Sequence, residues 1–412
     1  MSAIQRALHS IGERVPDVFG VEFPNGSTWQ SRAGSPAFTL RIRRRSTPLR
    51  IAAYGHIGLL DAYFDGDIDI DGDLRAALRA GMTPGFGKPK PLVAVANWWH
   101  ELSKNNASHD RAKVNARAHY GLGEDFYKLW LDDPLMMYTC AYWKEGTTTL
   151  EDAQKNKIDH VCQKVLLEPG EKVLDVGCGF GGLMFHAARN YGVDVTGTNI
   201  TSEQVESVAA KIKSSGQGGR LKVIEADFRD DVGVFDKVIS IGVLEHAGRD
   251  QVDEVVAAHA AALKPGGLGM LHFIGHVGMR NTEYFIRKHV FPGGWIPSLA
   301  ETIAAMERAG LEVMDVENLR RHYALTLDGW AERFDRSWER IRALDPQRFD
   351  ERFRRIWRTY LIGCAEMFRS PTERTHLFQI LFSKGNVAAG GYPMSRAFLY
   401  RNGVAAALKR AA

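Results

Sequence analysis

The sequence predicts an α/β fold, in which a mostly parallel sheet carries helices on both faces and a small α+β domain precedes it. Three observations support this prediction. Short apolar runs typical of buried strands alternate with helical stretches from residue 172 onward. The first of these strands leads into a glycine-rich turn at residues 177–182. Before residue 105 the pattern differs, with short strands separated by Pro, Asn and Gly turn signals. We therefore expect domains at 1–105 and 106–412.

The composition is that of an ordinary globular protein. The chain has 412 residues, of which 45% are hydrophobic and 25% charged, and its net charge is +4. This mild basicity, without basic runs interleaved with aromatic residues, argues against nucleic-acid binding. The four cysteines form no C-x-x-C pair, which argues against a metal cluster or a disulfide framework. We expect a cytoplasmic protein that meets a membrane only from its surface, because no apolar run is long enough to span a bilayer.

The N-terminal domain is predicted to contain a helix at residues 5–14 and strands at 18–23 and 37–42. An arginine cluster at positions 41 and 43–45 fits either a solvated strand edge or a contact for anionic phospholipid head groups, and the sequence leaves both open. The run DGDIDIDGD (Asp65–Asp73) imitates the opening of a calcium-binding loop, but Leu78 stands where the closing Glu should be. We therefore expect a turn between short strands there, and no metal.

A linker rich in Gly, Pro and Lys is predicted at residues 82–91, followed by an amphipathic helix over 92–102. Trp98 and Trp99 on this helix could lie at a membrane interface. Such a pair more often packs between domains, and that is the interpretation we favour.

The second domain is predicted to begin with helices at 119–133 and 150–166. Its strands are expected at 173–176, 193–197, 221–224, 237–241, 269–273, 311–316 and 377–383, the last one antiparallel. Segments 281–299 and 320–358 are expected to cover the edge of the sheet where the parallel strands end. A weak helix is expected at 402–412.

The glycine loop allows two interpretations. Gly177, Gly179 and Gly182 satisfy the G-x-G-x-x-G fingerprint of dinucleotide-binding proteins. That fingerprint needs an acidic residue about 20 positions later for the ribose of NAD, and the second strand ends in Asn199 instead. Asp175, just before the loop, fits better with S-adenosylmethionine (SAM), which carries a sulfonium and an ammonium in place of phosphates. We favour SAM over NAD.

Polar residues stand at the carboxyl ends of the predicted strands, where open parallel sheets bind ligands. Asn199 and Gln204 follow the second strand, Asp227 the third and Glu245 the fourth, and His272 lies in the fifth. Each could be structural by itself, Glu245 as a helix-start carboxylate and His272 as a half-buried histidine. Because they meet at one edge of the sheet, we expect a functional site there.

Seven motifs in order carry a resemblance to a known family. They are HYGLGEDFY, YTCAYW, VLDVGCGFGG, GVLEHAG, MLHFIG, FPGGWIPS and TYLIGCAEMF. Together they resemble the cyclopropane fatty acid synthases and mycolic acid methyltransferases, from about His119 to Lys384. The resemblance implies a class I SAM-dependent methyltransferase fold, Rossmann-like with a mostly parallel seven-stranded sheet. It also implies methylation of cis double bonds in phospholipid acyl chains, by a protein bound peripherally to the inner face of the membrane.

The resemblance also implies roles for individual residues. Those that would hold SAM are Tyr138, Thr139, Gly177, Gly179, Asn199, Gln204, Asp227 and Phe228, beside the Asp175 already singled out. The bacterial synthases use a bicarbonate ion as base, and the matching ligand positions are Cys140, Glu245, His272, Ile274 (through its backbone) and Tyr323. Cys364 matches a cysteine often marked as active. We do not expect it to be a nucleophile, because an alkene attacks the methyl sulfonium directly.

Several alternatives stay open. Asn199 replaces the threonine usual at its position, which should change a hydrogen bond near SAM and leave the reaction class intact. The product could be a methylene- or methyl-branched chain instead of a cyclopropane, and the protein could be a lipid binder that has lost catalysis. The expected partner is unsaturated phospholipid in a bilayer. The sequence leaves the oligomeric state open, with a homodimer as one form.

Overall fold

The computed structural model of the chain describes residues 3–83 and 90–400, which form two compact units. The N-terminal unit contains the chain up to Lys104 and two later segments, Glu283–Val290 and Leu327–Glu373. The sheet unit contains Asn105–Thr282, Phe291–Thr326 and the chain from Arg374 onward. Both later segments of the N-terminal unit fall within the range 106–412 that the sequence assigns to the second domain.

Ion pairs that are distant in sequence join these later segments to the N-terminal unit. Arg75 pairs with Glu366 (2.6 Å) and Asp328 (2.8 Å), and Lys288 pairs with Asp61 (2.7 Å). Lys288 and Asp61 are 227 residues apart in the sequence, and Arg75 and Glu366 are 291 residues apart. Local sequence patterns carry no signal for contacts of this kind, so the sequence predicts only two uninterrupted domains.

The N-terminal unit is built on a small four-stranded sheet. Its elements up to residue 104 are α1 (Ala3–Gly12), β1 (Phe19–Glu22), β2 (Thr28–Gln30), β3 (Phe38–Ile42), α2 (Thr47–Phe64), β4 (Ile68–Gly72), α3 (Leu74–Gly81) and α4 (Pro91–Lys104). The strand order is β2-β1-β3-β4, with β1 and β3 parallel and the other neighbours antiparallel. Phe19, Val21 and Phe38 form its core with Ala76 of α3. The predicted first helix and the strands at 18–23 and 37–42 agree with α1, β1 and β3.

The acidic run forms a strand, so the expectation of a turn between short strands is wrong. Ile68 of β4 is buried, because alternation of Ile with Asp places one face of the strand on the core. The acidic side chains pair with arginines on or next to β3: Asp67 with Arg44, Asp69 with Arg43, and Asp71 with Arg41. The acidic run and the arginine cluster therefore neutralise each other across neighbouring strands. Since β3 lies between β1 and β4, the arginines do not protect a sheet edge, and their contact with phospholipid head groups stays a prediction.

The sheet unit has the predicted architecture. Its strands are β5 (Lys172–Val176), β6 (Asp194–Asn199), β7 (Leu221–Glu225), β8 (Phe235–Ile241), β9 (Leu263–His276), β10 (Leu311–Asn318) and β11 (Thr375–Lys384). Their order is β10-β11-β9-β8-β5-β6-β7. The strand β11 is antiparallel to β9 and β10, and the remaining neighbours are parallel. The expected mostly parallel seven-stranded sheet with an antiparallel last strand is confirmed.

Helices cover both faces of this sheet. In chain order the helices after residue 104 are α5 (His109–Tyr120), α6 (Glu124–Lys128), α7 (Leu150–Lys164), α8 (Gly182–Tyr191), α9 (Ser202–Ser215), α10 (Val252–Ala261), α11 (Tyr284–His289), α12 (Leu299–Arg308), α13 (Arg320–Arg336), α14 (Trp338–Leu344) and α15 (Glu351–Arg369). Val173 and Ile239 belong to a core cluster with residues of α7 and α8, whereas Leu174 and Val238 belong to one with residues of α10 and α12. This alternation follows from the two-residue period of a strand.

Some helix predictions differ from the structure. Only α6 forms within the predicted helix 119–133, since Gly123 with φ 95° separates α5 from α6. Trp98 and Trp99 of α4 are 56% and 61% exposed, so the favoured expectation that they are buried between domains is wrong. The predicted helix at 402–412, and most of the linker at 82–91, lie outside the described residues. Across the described ranges, no helix has both the length and the apolar character needed to cross a bilayer.

Candidate active site

The glycine loop after β5 has the geometry that requires glycine. Gly177 and Gly179 have φ of 67° and 55°, values that side-chain-bearing residues rarely adopt. A Cβ on Gly177 would also lie 2.5 Å from a methyl carbon of Val243. The loop is therefore bare main chain next to the end of β5, as the sequence predicts.

Asn199 at the end of β6 holds this loop from both sides. Its Oδ1 accepts a hydrogen bond from the Gly179 amide at 3.1 Å, and its Nδ2 donates to the Gly179 carbonyl at 3.0 Å. An amide side chain accepts through its oxygen and donates through its nitrogen, so Asn199 can bond both main-chain groups of Gly179 at once. Thr198 supports the loop as well, because its hydroxyl accepts from the Gly177 amide. Gln204, at the start of α9, accepts a hydrogen bond from Thr201.

Asp175 is buried before the glycine loop, close to a lysine that the sequence did not single out. Burial raises the pKa of Asp175 to about 7, although the positive charge of Lys157 acts to lower it. Lys157 on α7 is fully buried, and its Nζ donates to the Thr139 hydroxyl at 2.9 Å. Burial lowers the pKa of Lys157 to about 8, while Asp132 favours its charged form. A lysine in a helical pattern gives no sign of burial, so sequence reasoning could not find it.

Asp227, after β7, is paired with an arginine. Its two carboxylate oxygens accept from Nε and a terminal nitrogen of Arg229 at 2.6 and 2.8 Å. The Arg229 guanidinium also lies over the Phe228 ring, 4.9 Å from its centroid. A cavity beside these residues is lined in part by Thr198, Val176 and Asp227. Arg229 therefore fixes the turn that the resemblance assigns to SAM.

Glu245 and Ile274 are joined directly. Glu245 lies in a short 3-10 turn after β8 (Leu244–His246), and its Oε1 accepts a 2.5 Å hydrogen bond from the Ile274 amide. The other oxygen, Oε2, is buried without a hydrogen-bond partner among the described residues. Burial raises the pKa of Glu245 to about 7. This carboxyl can therefore take or release a proton near neutral pH.

His272, 1% exposed on β9, has a buried ring nitrogen available for a ligand. Its Nδ1 lies 3.1 Å from Gln379 Nε2, while Nε2 has no partner within the part of the chain that the structure describes. Burial lowers the pKa of His272 well below its usual range, and Lys157 and Lys164 lower it further. The ring is thus neutral at physiological pH.

The aromatic loop before α7 contributes Tyr138 and Cys140. The Tyr138 ring packs edge-on against Trp130 at 5.1 Å between centroids. Cys140 is fully buried, and burial raises the pKa of its thiol far above the usual range. Its sulfur lies 3.9 Å from the carbonyl oxygen of Leu319, which also accepts from the Tyr323 amide at the start of α13. Cys140 and the buried Tyr323 are therefore brought together.

Cys364 belongs to a different unit from these residues. It lies on α15, in the N-terminal unit, whereas the other predicted site residues belong to the sheet unit. Burial raises the pKa of its thiol to about 12, so the thiolate is scarce at neutral pH. The structure thus gives no support for Cys364 as a nucleophile.

Three of the predicted site residues each have a buried polar atom without a hydrogen-bond partner across the described ranges. These atoms are Oδ2 of Asp175, Oε2 of Glu245 and Nε2 of His272. Buried polar groups are normally hydrogen-bonded, so such atoms indicate ligand positions. Asp175 and the bare glycine loop fit a ligand carrying an ammonium and a sulfonium. Glu245 and His272 fit a small polar group able to donate to one and accept from the other.

Comparisons with known proteins identify relatives of this chain. The sequence model of the mycolic acid cyclopropane synthetase family matches residues 107–380. A probable fatty acid methyltransferase of Pseudomonas putida is 37% identical, over 82% of this chain and 86% of the relative. The cyclopropane-fatty-acyl-phospholipid synthase of Escherichia coli K12 is 34% identical, over 85% of this chain and 89% of the relative.

A solved structure is similar as well. It is that of the mycolic acid cyclopropane synthase CmaA1 complexed with SAH and CTAB, 32% identical with a TM-score of 0.61, and the match covers 66% of this chain and 98% of that one. Together with the sheet order and the glycine loop, these matches show a class I methyltransferase fold with SAM as methyl donor. The chain therefore belongs to the mycolic acid cyclopropane synthetase family and is a SAM-dependent methyltransferase.

Proposed function

We propose that this enzyme transfers a methylene group from SAM to a cis double bond in an unsaturated phospholipid acyl chain, forming a cyclopropane ring. The observation that supports this most is the pair of buried, unpartnered polar atoms on Glu245 and His272 beside the SAM loop. The 34% identity to the Escherichia coli phospholipid synthase supports the choice of substrate.

The methyl donor lies, in this proposal, against the glycine loop. Gly177 and Gly179 let it approach the main chain, and Asn199 keeps the loop in place through two hydrogen bonds. Asp175 faces the cationic part of the donor. Because the donor is positively charged, it also stabilises the ionised form of Asp175, whose pKa burial raises to about 7.

The chemistry starts with a poor nucleophile, so positioning contributes most. The π electrons of the alkene form a bond to the methyl carbon, and the carbon–sulfur electron pair stays on sulfur. The chain is left with a carbocation, which aromatic faces such as Tyr138 and Tyr323 stabilise. A base then removes a proton from the new methyl group, and the C–H electrons close the ring. The products are the cyclopropane, S-adenosylhomocysteine and a proton.

The residues around Glu245 fit a bicarbonate ion. Cys140, Glu245, His272 and Tyr323 would hold it, and the orphaned Glu245 Oε2 and His272 Nε2 are the observation that supports the fit. When bound, bicarbonate supplies a small basic oxygen. Glu245 and Ile274 keep each other in place through the 2.5 Å hydrogen bond, which fixes the carboxyl at this edge of the sheet. The Ile274 amide is already used by Glu245, so only its carbonyl could contribute.

We also propose that α4 rests on the membrane surface, at the inner face of the bilayer. Leu92, Val95, Trp98, Trp99 and Leu102 recur at helical spacing, and each is 48–61% exposed. Exposed Lys90 and Lys104 flank this apolar stripe at the two ends of the helix. An apolar face with tryptophans and basic ends fits the interface of an anionic bilayer. This gives the acyl-chain enzyme a way to meet a substrate that never leaves the bilayer.

The catalytic pair is tested by Glu245→Ala and His272→Ala, with unsaturated phospholipid vesicles and methyl-labelled SAM. We expect each variant to lose at least about 100-fold in the rate of label transfer into lipid, because each residue would hold and position the base that removes the proton. Glu206→Ala, at an exposed position on α9, is the matched control and should keep full activity. Near-normal rates in both site variants, with intact folding, would remove this pair from catalysis.

A further inference from the structure

A series of hydrogen-bonded, buried polar side chains begins at Nδ1 of His272 and involves residues that the sequence did not single out. Gln379 on β11 is fully buried and lies opposite His272 in the antiparallel β9–β11 pair. Its Nε2 lies 3.1 Å from His272 Nδ1, and its Oε1 lies 3.0 Å from Nζ of Lys164. Lys164, 1% exposed at the end of α7, also donates to Glu317 at 2.5 Å.

Hydrogen-bond directions along this chain can be deduced from chemistry alone. An ammonium that forms a salt bridge with a carboxylate can only donate, so the amide atom of Gln379 facing Lys164 must be its oxygen. The NH₂ group of Gln379 therefore faces His272. It can only donate, which makes His272 Nδ1 the acceptor. A neutral imidazole with a bare Nδ1 carries its proton on Nε2.

From this geometry we propose that Lys164 and Gln379 are positioning residues that hold His272 in the tautomer with its proton on Nε2. His272 then offers a donor, and no acceptor, to whatever lies at its buried Nε2. The histidine cannot remove the proton from the acyl chain, because its Nδ1 is occupied and its Nε2 is already protonated. Its part is to donate a hydrogen bond to the group that does accept that proton.

The position of Glu317 explains how the chain is fixed at its far end. Glu317 Oε2 accepts from Lys164 and lies 2.7 Å from His160 Nε2. These two basic groups lower the pKa of Glu317 to about 2, against the opposing effect of burial. The Glu317 carboxylate therefore stays charged over the working pH range and keeps Lys164 in its donating role.

The tautomer can be read directly by long-range ¹H–¹⁵N NMR on the full chain labelled at its histidine rings. His272→Asn identifies the signal. We expect a protonated Nε2 and a bare Nδ1 in the unmodified protein. His259 is an internal reference of the opposite kind, since its Nδ1 lies 2.7 Å from the Val255 carbonyl and must carry the proton. A proton on Nδ1 of His272 in the unmodified protein would overturn the proposal.

Gln379→Glu makes the decisive variant because it keeps the shape and removes the donor. The carboxylate faces Nδ1 as an acceptor, so we expect Nδ1 of His272 to become protonated while the His259 signal is unchanged. If Gln379→Glu does not fold, Gln379→Leu replaces it in the experiment. Leucine removes both the donor and the acceptor of the amide, so we expect a mixture of His272 tautomers. Gln251→Glu is the matched control, because among the described residues this buried glutamine accepts a hydrogen bond, from the Gly248 amide at 2.8 Å, and donates none. An unchanged His272 signal in a folded Gln379→Glu protein would refute the role of Gln379.

This inference rests on the proposed function only for its catalytic meaning. With unsaturated phospholipid vesicles, Gln379→Glu should lower kcat at least about tenfold and leave the KM for SAM unchanged, because His272 and not the SAM loop is altered. Loss of kcat with a flipped tautomer supports the positioning role, and full kcat with a flipped tautomer refutes it. If no lipid is methylated by the unmodified protein while its His272 still carries the proton on Nε2, the proposed function fails and the tautomer assignment stands.

Discussion

Replacing Glu245 by Gln should change how stability depends on pH, because burial raises the pKa of this carboxyl from 4.5 to about 7. Between these values the folded protein keeps a proton that the unfolded chain releases, so the buried carboxyl lowers stability as the pH rises. One pKa unit corresponds to about 1.4 kcal/mol. From pH 5 to pH 8, the unmodified protein should therefore lose about 2 to 3 kcal/mol relative to Glu245→Gln. The glutamine can still accept from the Ile274 amide, so the fold should be preserved.

Urea unfolding followed by tryptophan fluorescence at pH 5, 6, 7 and 8 measures this difference. Effects of the substitution that do not depend on pH shift the whole stability curve by a constant, so only the change with pH of the difference between the two curves is compared. Glu206→Gln, at an exposed position on α9, is the control and should run parallel to the unmodified protein. Parallel curves for Glu245→Gln as well would show that the Glu245 carboxyl ionises as in water, and the acid–base role argued from its burial would lose its basis.

Three further predictions concern the SAM loop, its lysine and the helix α4. Gly177→Ala should weaken SAM binding at least about tenfold in calorimetry, because a Cβ there would lie 2.5 Å from Val243 and the backbone has φ of 67°. Gly218→Ala, which has open space around it, should bind SAM normally. Equal affinities of the two variants for SAM would contradict the role of Gly177. Lys157→Met should cost about 1.5 to 3 kcal/mol of stability in urea unfolding, since it removes the buried hydrogen bond to the Thr139 hydroxyl and the charge that favours ionised Asp132 and Asp175. A loss no larger than that of the exposed Lys172→Met would count against this. Replacing Trp98 and Trp99 together by Ala should reduce the fraction of protein that sediments with anionic vesicles at least about tenfold. Val234→Ala, at an exposed apolar position outside α4, should leave that fraction unchanged. An equal reduction in both variants would reject α4 as the lipid contact.

The sequence predicted the sheet well because its signals are local. The strands β5 and β8 contain short apolar runs, and the turn after β5 carries glycines that the backbone demands. The residues at the strand ends follow from that topology, so Asp175, Asn199, Glu245 and His272 were predictable as neighbours. The acidic run at β4 has the Ile–Asp alternation of a strand, but its likeness to a calcium-binding loop hides that signal, and the ion pairs with arginines on or next to β3 show the strand.

The residues that sequence reasoning missed act through distant contacts. Lys157 and Lys164 look like surface lysines on a helix, and only the folded structure shows that both are buried. Gln379 lies 107 residues from the histidine that it contacts. The two later segments of the N-terminal unit escaped prediction likewise, because ion pairs such as Arg75–Glu366 leave no local pattern.

A methyl carbon from SAM should end as a ring carbon in a fatty acyl chain. This can be measured with SAM carrying a ¹³C-labelled methyl group, the purified chain and vesicles of unsaturated phospholipid, followed by proton and carbon NMR of the extracted lipid. We expect the label to appear in an upfield cyclopropane CH₂ on the acyl chain. A label in vinylidene or methyl-branch signals would show that the product is a branched chain, and a label absent from the acyl chain would show that this protein does not methylate acyl chains.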